Sequence, residues 1–287
     1  MTSEIDPYSP TITLLISLSL SILFFTLFHI LGPRFIPVPP RIRSLDDKIE
    51  KYEAYRRYVA IYSSALHGLA CIFMLSAFVY KDGIVFDEPN KPYHYIFIGL
   101  SSGYYIVDTV ASYLFNFGGA TMMFHHVVMV SIFTYLFFKG RYGGLFSYLT
   151  LLGEASNPFM HVRKNAMQFE NTRLFTDILG IIFCVTYIMC RVVLIGLLST
   201  ELAMSTIGLG FKLLVCLIWY FSLVWSMNVA VLLFKGLSVS FPHPWFQKTY
   251  DVLNYLETNK ITRVVKHCVF MYASLAQCRH SRHTEFW

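Results

Sequence analysis

A chain of 287 residues that is 55% hydrophobic and only 14% charged, with a mean hydropathy of +0.53, lies outside the range of an ordinary soluble domain. The net charge of +6 comes with no nucleic-acid-reading motif and no Gly-rich phosphate loop. Six cysteines (Cys71, Cys184, Cys190, Cys216, Cys268, Cys278) form no CxxC pair, which argues against both a zinc ribbon and a disulfide framework.

Crossing a hydrocarbon core as helix takes about 20 apolar residues. Seven runs meet that need, near 11–31, 58–80, 93–115, 120–138, 145–162, 174–198 and 208–235, so the expected fold is an all-α integral membrane protein with seven transmembrane helices. The fourth and fifth are the shortest and carry polar residues. The first lacks a basic leader and a small-residue cleavage site, so it is expected to be a retained helix (residues 1–31) rather than a signal peptide.

Residues 32–57 follow, "GPRFIPVPPRIRSLDDKIEKYEAYRR", with four prolines favouring an extended start and a salt-bridged amphipathic helix after it. Beyond this basic linker lies a compact six-helix unit, 58–236, and then a tail, 237–287. The tail offers a basic amphipathic helix with Ile261, Val264, Val265, Cys268, Tyr272 and Leu275 on one face. Such a helix lies on the inner leaflet or packs on a partner subunit. Lys and Arg number seven in 32–57, three in 163–173 and seven from Lys235 onward, 17 on one side against 4 in the loops 81–92 and 139–144. That bias places the N-terminus outside and the C-terminus in the cytoplasm or on the matrix side, and assigns the net charge to orientation and anionic lipid rather than nucleic acid.

Titratable groups at bilayer depth are costly and usually face a protein interior or a watery cavity. In the fifth run Ser147, Thr150, Glu154, Asn157 and His161 recur at helical spacing and share one face. Pro158, inside that stripe, should free the Glu154 carbonyl. Other runs answer it with Ser64, His67 and Cys71, then Ser101, Tyr105, Asp108 and Ser112, then His125 and His126, and finally Ser222, Ser226 and Asn228. Counted from the basic side, these groups fall mostly in one half of the bilayer, which predicts a polar cavity open to the cytoplasm.

Within that set, His125 and His126 are the candidate catalytic bases. Asp108 either orients one of them or is a buried neutral acid. His67, Glu154, Asn157, His161, Arg191 and Asn228 are candidate cavity residues. His67 alone suits helix–helix hydrogen bonding, and Arg191 either snorkels or pairs with Glu154. No metal is expected, because the HxxxH and HxxHH spacings of membrane di-iron enzymes are missing. Histidine acting as general base would deprotonate an amine or hydroxyl attacking a thioester or ester, with acyl-CoA as one such substrate and no resident cofactor.

"YVAIYSSALHGLACI", "SSGYYIVDTVASY", "FHHVVMV", "LTLLGEASNPFMHVRK" and "WSMNVAVLLFKG" together resemble the TLC domain over about residues 58–236. This membrane domain is shared by ceramide synthases and smaller lipid-handling proteins, and the likeness is nearer to the smaller ones. The resemblance implies a six-helix TLC barrel preceded by one extra helix, with the paired histidines in a polar interior. Where ceramide synthases carry H-D-x-x-D, this chain has Gly153, Glu154, Ala155, Ser156 and Asn157. The first acid is conservatively changed, the second has lost its charge and the preceding histidine is missing, so ceramide synthesis is not implied. The smaller members imply roles in phospholipid composition, lipid transport and sorting.

Three functions fit. A lipid-binding or lipid-homeostasis protein would hold headgroup and chain in the cavity. An acyltransferase or transacylase would use His125 or His126 as base. A non-catalytic accessory subunit of a larger membrane complex would make contacts through 32–57 and 237–287. The expected partners are membrane lipids, with other membrane subunits for the third case. The endoplasmic reticulum is the expected home, with the mitochondrial inner membrane and plasma membrane as alternatives.

Overall fold

The computed structural model describes residues 9–85, 87–115, 119–169, 173–205, 207–240 and 243–258. These form eleven α-helices and one π-helical segment: α1 (Pro10–Phe35), α2 (Pro40–Arg43), α3 (Lys48–Asp82), α4 (Pro92–Leu114), α5 (Gly119–Lys139), α6 (Gly143–Glu154), α7 (Asn157–Gln168), α8 (Arg173–Tyr187), the π segment Ile188–Leu194, α9 (Ile195–Met204), α10 (Leu209–Ser240) and α11 (Pro244–Thr258). Among the described residues, five helical stretches are long and apolar enough to cross a membrane: Pro10–Phe35, Lys48–Asp82, Met122–Lys139, Arg173–Met204 and Leu209–Ser238. All seven expected runs are helical. However, α4 is too rich in serine, tyrosine and histidine to pass that apolarity test, and the fifth run is divided.

The division falls at Ala155–Ser156, two residues before the proline whose ring cannot complete the hydrogen bond of a continuous helix. Pro158 instead sits in the first turn of α7, where a missing N–H costs nothing. Both junction residues keep right-handed helical dihedrals, so the angular phase of the polar stripe survives the break. The sixth run is likewise not one regular helix, because it widens over Ile188–Leu194. Such widenings often accompany functional sites.

Two expectations about the linker are corrected. The first helix runs through Pro33 to Phe35, so the proline-rich stretch starts later than its composition suggests. The amphipathic helix is also not separate: α3 starts at Lys48 and continues unbroken into the membrane-length run. Asp47 caps it, its Oδ1 accepting from the Ile49 and Glu50 amides at 2.8 and 2.7 Å. The expected tail helix at 261–275 lies outside the described residues. Before it, α11 folds back onto α10, with Trp245 and Phe246 against Phe234.

Nor is α1 held apart from the rest. It packs along α4 through small residues. A Cβ on Gly99 would overlap Ser17 Oγ, and one on Gly103 would lie 2.5 Å from Ser21 Cβ. The close approach lets Ser21 Oγ donate across the seam to the Leu100 carbonyl at 2.6 Å. This is the small-residue packing that membrane helices use where apolar side chains gain nothing by leaving lipid. The opposite face of α1, with Leu15, Ile16 and Leu20 among its apolar residues, is exposed.

The remaining helices form an arc. From α5 it passes to α4, then α3, then α6 and α7, then α8, the π segment and α9, and finally α10. Where α10 comes back to α5 the contact is made by rings: Phe124 with Phe221 at 5.6 Å, His125 with Trp225 at 5.2 Å and Tyr135 with Phe211 at 6.3 Å.

Candidate functional site

α4 and α5 bring Asp108 and His126 together. His126 Nδ1 lies 3.6 Å from Asp108 Oδ2 and 3.3 Å from Thr109 Oγ1, and both His126 and Asp108 are buried. Thr109's hydroxyl proton is committed to the Tyr105 carbonyl at 2.6 Å, so toward the imidazole the hydroxyl can only accept. Nδ1 of neutral His126 therefore carries the proton and Nε2 holds the lone pair. Thr109 is the residue that sequence reasoning missed, although its i+4 spacing from Tyr105 on a polar face was visible.

The adjacent His125 points elsewhere, as successive helical residues must. Its ring is half-buried and touches Trp225 and Tyr105 edge-on at 5.2 and 6.2 Å. Neither of its nitrogens has a hydrogen-bond partner among the described residues. Trp225 was also missed, since an indole beside Ser222 and Ser226 reads as packing.

His67 is locked in place. It stacks on Tyr104 at 3.9 Å, and its Nε2 lies 3.3 Å from both Ser101 Oγ and Cys71 Sγ. Tyr104 in turn donates to Ser64 Oγ at 2.9 Å. These contacts join α3 to α4, the helix–helix role its isolated position suggested.

The third group joins α6, α7 and the π segment. Arg191 neither snorkels nor touches Glu154 directly. Its Nη2 donates to the Gly153 carbonyl and to Asn157 Oδ1 (3.1 Å), and Asn157 Nδ2 donates to Glu154 Oε2 at 2.7 Å. Asn157 thus bridges an acid and a base. The carbonyl that gains a new donor is Gly153's, one residue before the one expected from Pro158. Gly68 on α3 makes room for the acid, for a Cβ there would come within 3.0 Å of Glu154 Oε2.

Two expected members stand apart. His161 is buried with Nδ1 unpartnered among the described residues, and no hydrogen bond there joins it to the others. Asn228 is half-buried on α10 and makes no hydrogen bond among the described residues.

Among the described residues, these groups do not surround an open chamber. Tyr104, Tyr105, Phe133 and Phe146 are buried between the helices, with Tyr105 against Phe133 at 6.0 Å and Phe133 against Phe146 at 5.3 Å. The expected cavity is corrected to a packed polar cluster with a half-buried rim of His125, Asn157, Arg191 and Trp225. Two hollows lie elsewhere. One, of about 10 Å³, is beside Asp82, His94 and Ser147, and the other, of about 60 Å³, is between Arg163, Asp177 and Leu233. No group of three or more His, Cys, Asp or Glu among the described residues is placed to hold a metal ion.

Compared with known proteins, residues 58–240 match the family model for the TLC domain. No curated protein and no solved structure matches the chain.

Proposed function

The chain belongs to the TLC-domain family, and from that premise we propose that it is a seven-span membrane protein that binds lipid at its buried polar cluster. In this reading the basic side faces the cytoplasm, the N-terminus is lumenal, the membrane is that of the endoplasmic reticulum, and the role is lipid homeostasis or transport. The observation that carries it is the contrast between the two histidines. His126 is buried and held by Thr109 and Asp108, whereas His125 is half-buried and neither of its nitrogens has a hydrogen-bond partner among the described residues. The polar end of a lipid would meet His125 and Arg191, and its chain would lie in the ring-lined seam of α5 and α10, parted to admit it.

One observation favours acyl transfer as a second reading: the Nε2 lone pair of His126, with Nδ1–H held by Thr109 Oγ1 and Asp108 Oδ2 3.6 Å away, is the arrangement of an oriented general base. The two readings separate in one experiment. Wild-type protein and the His125→Ala/His126→Ala variant, purified from the same cells, are compared by mass spectrometry of co-purifying lipid and of whole-membrane acyl composition. Lipid binding predicts a loss of co-purified lipid of about tenfold, equivalent to about 1.4 kcal/mol, with acyl composition unchanged. Acyl transfer predicts a changed composition. A variant that folds normally and alters neither measurement removes both readings. Service as an accessory subunit would instead require fixed partners on the linker and tail.

A further inference from the structure

The hollow between α7, α8 and α10 is a second site of mixed chemistry, apart from the histidine pair. Its volume is about 60 Å³, and one continuous wall carries Arg163 from α7, Asp177 from α8 and Leu233 from α10. It lies at the end of the bundle that carries the basic linker. There α7 meets the start of the apolar stretch of α3, where Tyr58 donates to Asn165 Oδ1 at 3.0 Å and its ring touches Phe169 at 6.4 Å.

Arg163 is fixed with its outer edge available. Its Nε donates to the Thr176 carbonyl at 3.1 Å, and Gly180 admits the guanidinium, since a Cβ there would come within 3.0 Å of Nε. Neither Nη atom donates a hydrogen bond among the described residues. Asp177 supplies the opposite charge to the same hollow. Its Oδ2 lies 3.8 Å from Nε of the exposed Arg173, a surface contact that contributes little. Gly236 keeps space open before the carboxylate, for a Cβ there would lie 3.7 Å from Oδ1.

Along the helix axes the wall changes character. At about 1.5 Å per residue, Phe183 lies about 9 Å deeper along α8 than Asp177, and Val229 about 10 Å deeper along α10 than Gly236. Phe183, Val229 and Leu233 are half-buried rather than enclosed, so the hollow opens toward surrounding lipid.

A cation and an anion at the mouth, with hydrocarbon behind them, match a zwitterionic lipid. Asp177 would repel a free phosphate, and Arg163 would repel a metal cation. A phosphate that bears an ammonium group satisfies both, because guanidinium N–H groups pair with phosphate oxygens and a carboxylate accepts from an ammonium. We propose that this hollow binds the headgroup of a phospholipid with a primary ammonium, its phosphate on Arg163 and its amine on Asp177. The chain then starts along Phe183 and Val229. In the orientation proposed above the lipid belongs to the cytoplasmic leaflet. None of these residues belongs to the histidine site, so either proposal can fail alone.

The test uses the full chain, stripped of lipid in detergent and titrated with phosphatidylethanolamine or phosphatidylglycerol, which share the phosphate but not the amine. Bound lipid is counted by native mass spectrometry. The wild type should bind phosphatidylethanolamine about tenfold more tightly, a difference of about 1.4 kcal/mol. Asp177→Asn should erase that preference by weakening phosphatidylethanolamine alone, whereas Arg163→Gln should weaken both lipids about tenfold. If Arg163→Gln does not fold, Gly236→Leu takes its place, filling the hollow from a position with room for a Cβ, and should likewise weaken both. Equal wild-type affinity for the two lipids would overturn the proposal. So would a preference that Asp177→Asn leaves intact, or binding that neither Arg163→Gln nor Gly236→Leu weakens.

Discussion

Replacing Arg191 with methionine should destabilise the protein by about 2–4 kcal/mol, the usual cost of leaving two hydrogen-bond acceptors without their charged donor. Methionine retains much of the apolar volume but removes the cation that reaches Glu154 through Asn157, and it strips the Gly153 carbonyl and Asn157 Oδ1 of their donor. Neutralising the acid as well should recover a large part of the loss. The double variant Arg191→Met/Glu154→Gln should therefore be more stable than Arg191→Met alone. Four proteins compared by thermal unfolding in one detergent give the coupling, expected at about 1–3 kcal/mol. Strict additivity would mean that Asn157 does not connect the two charges.

A comparable loss is expected at the α1–α4 seam. Leucine at Gly99 or Gly103 would drive a side chain into Ser17 or Ser21, and also into the α1 backbone, whose Leu14 and Leu18 carbonyls lie 2.9 and 3.0 Å from the new Cβ atoms. Backbone cannot step aside as a flexible side chain can, so α1 must separate from α4. Overpacking alone costs about 1–3 kcal/mol, and the Ser21–Leu100 bond goes with it. At about 2–4 °C per kcal/mol, a loss near 3 kcal/mol lowers the melting midpoint by roughly 6–12 °C. Gly153→Ala serves as the control, because nothing lies within 4 Å of a Cβ there. It should leave the midpoint unchanged or slightly raised. Equal effects of Gly103→Leu and Gly153→Ala would show that α1 does not depend on this seam.

The Ser147–His161 stripe was legible in the sequence because a 3.6-residue period depends only on helical dihedrals, and Ala155 and Ser156 keep these through the break. The break itself was half-legible. Pro158 marked the place, but a proline can kink a helix or begin a new one, and only the surrounding packing chooses. The π segment left no trace, since "IMCRVVL" reads as any apolar helix. Arg191 consequently had two directions open to it, outward by snorkelling or inward toward Glu154, and the sequence did not choose between them.

Both halves of the α1–α4 seam were also present in the sequence, Ser17 and Ser21 on one helix and Gly99 and Gly103 on the other, each pair four residues apart. Their pairing was not, for spacing identifies a face without naming what covers it. The same limit explains the cavity. Polar stripes on several helices establish that they converge. Whether water or the rings of Tyr104 and Tyr105 fill the space between them is decided by side-chain volume in three dimensions.

The central claim, that lipid reaches the polar cluster through the α5–α10 seam, is tested most directly with a phospholipid carrying a photoactivatable acyl chain. After irradiation in nanodiscs, the labelled peptides are mapped by mass spectrometry. The account predicts adducts on the inward residues of α5 and α10, around His125 and Trp225, that an excess of unlabelled lipid competes away. Labels confined to outward side chains such as Leu15, Leu20 and Phe73, and insensitive to competitor, would contradict it.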